Sequence, residues 1–363
     1  MHVETLLPLG KVDPGLRAPE VPFDITTIGE QARLVERLGY DRLVFEETKD
    51  DPFVVLTAAA EATTTLGLGT SVAIAFARSP TSMALTAWSL QRISGGRFAL
   101  GLGSQVRGHI ERRYGMPWRA PAPWMRDYVR AVRAVWRTWQ DGVPLDVDND
   151  HYRLNLMVPL FDAGPMDHPE IPILLAAVNP LMCSVAGEVG DGIRPHPVCT
   201  PSYIAEVMLP AVRAGAVRAG RSLGRFSVNM KPLIATAPDE VRLAPKVRDA
   251  RARIAFYAST PGYRAAFEHL GLGDLADRAS ALSKAKRWEE LPPLIDDEIL
   301  HAFVTIGTYD DIAARLHDRF GDVVTHCEFS VAVGDEADRE ALAAMVAGLH
   351  ARDDRAARAT ICG

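Results

Sequence analysis

Cysteine is scarce in this chain: there are four among 363 residues, and no two of them lie close together in the sequence. They are Cys183, Cys199, Cys327 and Cys362. Small disulfide-stabilised domains and structural zinc sites both depend on closely spaced cysteines. The sequence therefore argues against both classes. The ten histidines show no metal-ligand spacing either, so we expect no metal site.

An excess of positive charge and long apolar runs are also missing. The formal net charge is −6, and no basic run with interleaved aromatic residues occurs, which argues against a nucleic-acid partner. No apolar run approaches the roughly 18 residues that a membrane span requires. The first residues, Met-His-Val-Glu, do not resemble a secretory signal peptide. We therefore expect a cytoplasmic protein with no membrane partner.

Several motifs of common enzymes are absent or incomplete. Gly101 and Gly103 begin a dinucleotide-binding fingerprint, but Val106 stands where its third glycine belongs. The chain has no phosphate-binding loop that ends in Gly-Lys-Ser/Thr, no His-Glu-x-x-His and no Gly-x-Ser-x-Gly. Nucleotide hydrolysis, zinc hydrolysis and serine-esterase chemistry are therefore not favoured.

The segment 66–109 contains a strand–helix–strand unit. Its two apolar runs, 66–75 and 98–102, carry no charge and do not alternate apolar with polar residues. This pattern is typical of parallel strands that are covered on both faces. Pro80 suits a helix start, and Ser-Gly-Gly at 94–96 suits its end. Polar residues follow both strands, at the edge of a parallel sheet where active sites lie.

The same alternation of strand and helix continues along the chain. We predict eight strands, at 3–7, 42–45, 66–75, 98–102, 173–177, 192–194, 227–235 and 324–331. The pattern further predicts helices that include 180–189 and 307–320, and insertions near 104–124, 142–169 and 236–300. Eight strands in steady alternation with helices favour an α/β fold of the closed (β/α)8 TIM-barrel type, forming a single domain over residues 1–363.

Four blocks of the sequence resemble one known family. They are LGYD followed by LVFEE (38–47), TLGLGTSV (65–72), ISGGRF followed by LGLGS (93–104), and AGEVGDG (186–192). Together and in this order they resemble the bacterial luciferase-like monooxygenase superfamily, in particular its branch of oxidoreductases that use the deazaflavin coenzyme F420. The resemblance covers roughly residues 3 to 350. It implies a (β/α)8 barrel with insertions, a homodimer, and a coenzyme at the C-terminal mouth of the barrel.

The resemblance also implies roles for particular positions. It implies a cis peptide bond between Ser71 and Val72, in the strand that backs the deazaflavin ring. It implies that the residues after strand two flank the reactive face of the ring. The coenzyme-binding residues that it implies are Glu46, Ser71, Val72, Ser104, Gln105, Ala177, Val178, Asn179, Arg194 and His196.

The residue that exchanges a proton with the substrate is not where the resemblance would put it. Related sugar-phosphate dehydrogenases carry an Asp-His pair after strand two, whereas this chain has Glu47 and Thr48. An unactivated hydroxyl is a poor base at neutral pH, so Thr48 is a weak substitute. We therefore predict that His109 or Glu47 is catalytic. His109 is preferred because the unperturbed pKa of histidine lies near neutral pH.

A phosphate site is also expected from the residues themselves. Asn179 can cap a helix that begins at Pro180, directly after the strand at 173–177. A helix start presents unpaired N–H groups and the positive end of the helix dipole, which bind phosphate. An ordinary capped helix without a ligand would have the same sequence.

These observations favour an oxidoreductase that transfers a hydride between coenzyme F420 and a small organic substrate. One alternative is an FMN-dependent monooxygenase, which would take reduced FMN from a partner flavin reductase. A second alternative is a barrel that has lost catalysis and binds a ligand or a partner.

Overall fold

The computed structural model describes residues 1–11, 23–351 and 353–363. Its eight barrel strands are β1 His2–Leu6, β2 Arg42–Phe45, β3 Gly67–Thr70, β4 Phe98–Gly103, β5 Ile173–Ala177, β6 Gly192–Pro195, β7 Ser227–Met230 and β8 His326–Glu328. These strands pair in parallel in the order β3-β2-β1-β8-β7-β6-β5-β4, and β3 also pairs with β4, which closes the sheet into a barrel. The predicted (β/α)8 barrel is confirmed.

One helix or helical segment follows each strand on the outside of the barrel. The first four are α1 Ile28–Arg37, α2 Pro52–Ala62, α3 Pro80–Ile93 and α4 Pro121–Asp141. The fifth is α5 Pro180–Val189; the sixth, α6, joins Pro201–Tyr203, a π-helical turn Ile204–Met208 and Leu209–Arg218. The last two are α7 Ile312–Phe320 and α8 Glu336–His350, and a short helix Arg355–Cys362 comes last. The helix predicted at 180–189 has these bounds in the structure.

The packing between strands and helices follows from their composition. All six residues of β4 are buried, as expected for a parallel strand that is covered on both faces. Helix α4 buries Trp124, Tyr128, Trp136 and Trp139 against neighbouring elements. Aromatic side chains bury more apolar area than any others, so this helix contributes strongly to the hydrophobic stabilisation of the barrel wall.

Several predicted elements are wrong in detail. The strand predicted over 66–75 ends at Thr70, and the strand predicted over 324–331 spans only His326–Glu328. The strand predicted over 227–235 ends at Met230, and a separate strand, Leu233–Ala237, follows it outside the barrel. Pro232 explains the break, because proline has no N–H for the hydrogen-bond ladder of a central strand. The helix predicted over 307–320 begins only at Ile312, because the strand Val304–Thr308 pairs in parallel with Leu233–Ala237.

Three segments lie outside the regular barrel pattern, in the regions where insertions were predicted. The first contains a short helix, Arg107–Arg112. The second contains an antiparallel pair of strands, Val147–Asp148 and Arg153–Leu154. The third lies between Leu233–Ala237 and Val304–Thr308 and is helical; its helices are Glu240–Ala258, Arg264–Glu268, Gly273–Lys284 and Asp297–Phe303. Within the described residues, no helix is long and apolar enough to cross a membrane.

Candidate active site at the C-terminal mouth of the barrel

A cavity of about 670 Å³ opens at the carboxyl ends of the barrel strands. All eight strands contribute the residues at or just beyond their ends. In a parallel barrel these ends converge, although the residues are far apart in sequence. We call this space the C-terminal cavity. Its size lies in the range of pockets that hold cofactor-sized molecules.

Eleven of the twelve predicted site residues line this cavity. They are Glu46, Glu47, Ser71, Val72, Ser104, Gln105, Ala177, Val178, Asn179, Arg194 and His196. The twelfth, His109, is exposed on the short helix Arg107–Arg112 and is not among the lining residues. The structure thus brings together the strand-end residues and does not bring His109 to them.

The floor of the C-terminal cavity is formed where β3 leaves the regular ladder. The peptide bond between Ser71 and Val72 is cis, as the resemblance implied. Thr70 bridges to β4 with its side chain, because its Oγ1 donates to the carbonyl of Gly101 (2.6 Å) and accepts from the Gly101 N–H (2.8 Å). The chain then rejoins β4 through Ala73–Ile74, which pairs with Leu102 and Gly103.

The two glycines of β4 make room for this bulge. A Cβ atom at Gly101 would lie 1.9 Å from the carbonyl oxygen of Thr70, and one at Gly103 would lie 2.5 Å from Cγ2 of Val72. Any side chain at either position would therefore collide with the bulge. The Gly-Leu-Gly sequence, which resembles half of a dinucleotide fingerprint, makes room here for the backbone of Thr70 and the side chain of Val72.

A cluster of buried charges lies beneath the floor, inside the barrel. Arg194 is 7% exposed; its Nη2 donates to Oε1 of Glu4 (2.5 Å) and its Nε donates to the hydroxyl of Ser71 (3.1 Å). Arg194 Nη2 also lies 3.5 Å from Oε2 of Glu328, and Arg42 Nη1 lies 3.5 Å from Oε2 of Glu4. The guanidinium of Arg194 therefore holds Ser71 and the interior carboxylates, a role that the sequence did not suggest.

The segment after β2 is fixed by ion pairs. Oε2 of Glu47 accepts from the backbone N–H of Ile74 (2.8 Å) and from Nη1 of Arg78 (2.6 Å). Arg78 also contacts Asp51 at 2.8 Å. Burial alone would lower the pKa of Arg78, but its hydrogen bonds and charge interactions with Glu47 and Asp51 raise it overall. Glu47 thus ties the end of β2 to the residues just beyond the bulge.

Glu46, the neighbour of Glu47, also forms an ion pair, with Nζ of Lys11. Its other contact is with Thr48, whose hydroxyl lies 3.4 Å from Oε1 of Glu46. Lys11 belongs to the segment after β1, so the ends of β1 and β2 are linked here. Glu46 and Thr48 both line the C-terminal cavity.

The start of helix α5 opens into the same cavity. Asn179 is its N-cap residue, but the Asn179 side chain makes no capping hydrogen bond. The amide of Asn179 instead lies 3.4 Å from the carbonyl of Gly262. Asn179, Leu181 and Met182 all line the cavity. The first N–H groups of α5 are thus not occupied by a side-chain cap and can bind an anionic group.

An insertion covers this side of the cavity with aromatic rings. His196, at the end of β6, stacks on Tyr263 with ring centroids 3.9 Å apart and an interplanar angle of 23°. Tyr257 meets His196 edge-on at 4.8 Å. Both tyrosines come from the insertion after Leu233–Ala237. The sequence did not predict their contacts with His196, because the residues are about 60 positions or more apart.

Sequence reasoning also missed three polar residues of the cavity: Asn229, Lys231 and Glu328. Nζ of Lys231 lies 3.5 Å from Oε1 of Glu328. All three lie at or just after the ends of β7 and β8, so the rule that placed Glu47 and Ser104 would have found them. Within the described residues, no cluster of side chains is suited to hold a metal ion.

Comparison with known proteins identifies a family and relatives that resemble this chain over most of its length. The family model for the luciferase-like monooxygenase family matches residues 2–326. An uncharacterized protein of Mycobacterium tuberculosis, Rv1360, is 42% identical over 304 residues, which cover 84% of this chain and 89% of that protein. The 5,10-methylenetetrahydromethanopterin reductase of Methanolobus tindarius is 26% identical over 324 residues, which cover 88% and 94%.

A solved structure shows the same fold. The coenzyme F420-dependent tetrahydromethanopterin reductase of Methanopyrus kandleri superposes with a TM-score of 0.72 at 20% sequence identity. The match covers 96% of each chain. The fold is therefore shared along nearly the whole length of both chains.

Proposed function

This chain belongs to the luciferase-like monooxygenase family, and within that family we propose that it is a coenzyme F420-dependent oxidoreductase acting on a small organic substrate. The family contains oxidoreductases and monooxygenases. The observation that carries the choice of coenzyme is sequence similarity over most of the chain to a methylenetetrahydromethanopterin reductase, a type of enzyme whose structure is described as coenzyme F420-dependent.

The shape of the C-terminal cavity fits a ring system with a phosphorylated tail. The bulge at Ser71 and Val72, for which Gly103 makes room, lines the cavity where the ring would bind. The uncapped start of α5 at Asn179 offers N–H groups for the phosphate, and His196 lies beside it. When bound there, the coenzyme supplies or accepts the hydride, and the barrel provides orientation and shelter from water.

The protein's own part in the chemistry falls to the residues after β2. We propose that Glu47 exchanges the proton that accompanies hydride transfer, because its side chain lines the cavity whereas that of His109 does not. Glu47 acts as the proton acceptor when a substrate hydroxyl is oxidised, since a positioned Glu side chain can serve as a general base. Arg78 and the Ile74 N–H hold its Oε2 in place.

A pair of activity measurements tests this proposal. Under anaerobic conditions, a panel of carbonyl and unsaturated compounds is offered with reduced coenzyme F420, and the return of the oxidised chromophore is followed by absorbance. Aerobically, oxygen uptake is followed with reduced FMN. We expect substrate-dependent oxidation of the coenzyme and no oxygen uptake above that of the protein-free control. Substrate-dependent oxygen uptake with reduced FMN would instead establish a monooxygenase fed by a flavin reductase.

We further propose that the protein is a homodimer. Helix α2 is apolar on nearly all sides, and with α3 it leaves Val54, Leu85 and Ile93 exposed by 65%, 45% and 45% along one groove. Large apolar side chains grouped on a surface commonly mark a contact with another protein. Light scattering should therefore give twice the chain mass of 39.5 kDa; the monomer mass at micromolar concentration would contradict the proposal.

A further inference from the structure

A second large cavity lies at the opposite, N-terminal end of the barrel. It has a volume of about 700 Å³, similar to the C-terminal cavity. Residues at or near the starts of strands form its roof, among them Arg42, Leu174 and His326. Helix α4 and the segment 169–172 form its walls. The N-terminal face of such barrels ordinarily serves stability rather than binding, so an open space of this size there is unexpected.

The charged side chains around this N-terminal cavity are unequal in number. Its five arginines face three carboxylates: Arg42, Arg133, Arg137, Arg225 and Arg358 against Asp141, Glu170 and Asp191. Burial, followed by the charge of Arg42, lowers the pKa of His326 well below its ordinary value, so that ring is neutral at neutral pH. Arg42 and Arg358 pair with Glu4 and Asp354, which lie outside the lining, so the arginines that are not tightly paired are Arg137 and Arg225.

The carboxylates do not satisfy these arginines evenly. Asp191 accepts from Arg133 at 2.6 Å, and a second arginine, Arg221, also donates to it at 3.1 Å. Arg225 and Glu170 are 3.9 Å apart, and their side chains are 96% and 90% exposed. Exposed ion pairs of this kind contribute little to stability, so Glu170 does not hold Arg225 firmly. Among the residues that the structure describes, Arg137 forms no ion pair and no hydrogen bond through its side chain.

The walls of the N-terminal cavity suit a carbon framework. Trp136, Ile171 and Leu174 line it together with Pro169 and Pro172. A planar guanidinium binds carboxylate or phosphate through two parallel hydrogen bonds. Apolar walls and cationic side chains on one cavity together fit a ligand that has an organic body and more than one anionic group.

We propose that the N-terminal cavity is a second binding site, which takes a small organic polyanion through Arg137 and Arg225. Its anionic groups are carboxylates or phosphates, and its body packs on the wall formed by Trp136 and Ile171. Arg42, which lines the same cavity, contacts Glu4, and Glu4 contacts Arg194, which holds Ser71. A continuous line of polar contacts therefore joins the two cavities. The site does not depend on the function proposed for the C-terminal cavity.

Calorimetric titration of the full chain with benzene-1,3,5-tricarboxylate, at constant ionic strength, tests the site. We expect one molecule to bind per chain, and neither benzyl alcohol nor inorganic phosphate to bind as tightly. The double variant R137A R225A should weaken binding at least about tenfold, the scale of one lost charge-assisted pair. The matched double variant R92A R248A removes the same charge from two exposed arginines outside the cavity and should stay within about twofold of the wild type.

A second measurement needs no variant. Phenylglyoxal modifies accessible arginines, and mass spectrometry of the wild-type protein reports the extent at each position. The tricarboxylate should protect Arg137 and Arg225 and leave Arg92 and Arg248 unprotected. Absence of binding, equal weakening in both double variants, or protection that does not favour Arg137 and Arg225 would each overturn the proposal.

Discussion

Replacement of Arg194 tests the buried charge cluster beneath the cavity floor. Glu4 is 0% exposed and Arg194 is 7% exposed, and their closest contact is 2.5 Å. In R194M, the ion pair left to Glu4 among the described residues would be the 3.5 Å contact with Arg42. A buried carboxylate that loses its partner typically costs about 3–5 kcal/mol. We therefore expect R194M to lower the free energy of unfolding by about that amount.

A double variant separates the effect of the unpaired Glu4 charge from the effect of the altered Arg194 side-chain shape. In the double variant E4Q R194M, no charged carboxylate remains at position 4, so part of the cost should disappear. We expect the double variant to be more stable than R194M by at least about 1 kcal/mol, because close ionic partners are strongly non-additive. E4Q alone should also be destabilised, since it leaves Arg194 with the looser contact to Glu328.

Urea unfolding followed by circular dichroism and tryptophan fluorescence measures these free energies from the transition midpoints. Binding of coenzyme F420 to R194M provides a second measurement, because Arg194 Nε holds the hydroxyl of Ser71 at the floor of the cavity. Affinity should fall together with stability. If R194M unfolded within about 0.5 kcal/mol of the wild type, or if the two substitutions were additive, the buried pair would not stabilise the barrel in the way described.

Three further substitutions test the packing of the bulge, the hydrogen bonds of Glu36 and the proposed role of Glu47. G103A should lower the free energy of unfolding in urea by about 1–3 kcal/mol, because its Cβ would lie 2.5 Å from Cγ2 of Val72. G262A is the control, because a Cβ at Gly262 meets open space. An equal effect of both substitutions would refute the reasoning. E36Q should lower the free energy of unfolding by about 1–2 kcal/mol at pH 7. Burial raises the pKa of Glu36, but hydrogen bonds from Thr65, Leu66 and Thr64 lower it overall to about 2, so the charged carboxylate stabilises the fold. That stabilisation is present above the unfolded-state pKa and is lost as pH falls from about 4.5 towards 2. The urea midpoints of the wild type and E36Q should therefore converge near pH 2. A difference between the midpoints that stays constant with pH would contradict this prediction. E47Q should lower turnover by about 10²-fold with little change in coenzyme affinity, whereas H109A should leave both unchanged; the reverse result would make His109 the catalytic residue.

The sequence predicted the features that depend on local pattern. The apolar runs of β4 and β5 and the helix from Pro180 to Val189 could be recognised because burial and helix-start signals lie within a few residues. The position of the site followed from the same pattern, since strand ends of a parallel barrel meet at one face. The cis peptide at Ser71 was implied only by the family resemblance.

What the sequence did not predict depends on contacts between distant residues. The strand predicted over 227–235 was continued through Lys231 and Pro232, so the exit of the chain from the barrel was overlooked, although the proline was a usable signal. The stacking of His196 on Tyr263 joins residues of two separate segments. His109 follows β4 closely enough to suggest the site, but it is exposed on the short helix Arg107–Arg112 and does not line the cavity.

Comparison of coenzyme F420 and FMN binding tests most directly whether the C-terminal cavity binds a deazaflavin. The protein is titrated separately with oxidised coenzyme F420 and with FMN, followed by fluorescence, and the titrations are repeated with the reduced forms. We expect one coenzyme F420 molecule to bind per chain at least about tenfold more tightly than FMN, a difference of about 1.4 kcal/mol. Tighter binding of FMN would contradict the choice of coenzyme, and binding of neither would leave a barrel that recognises some other ligand.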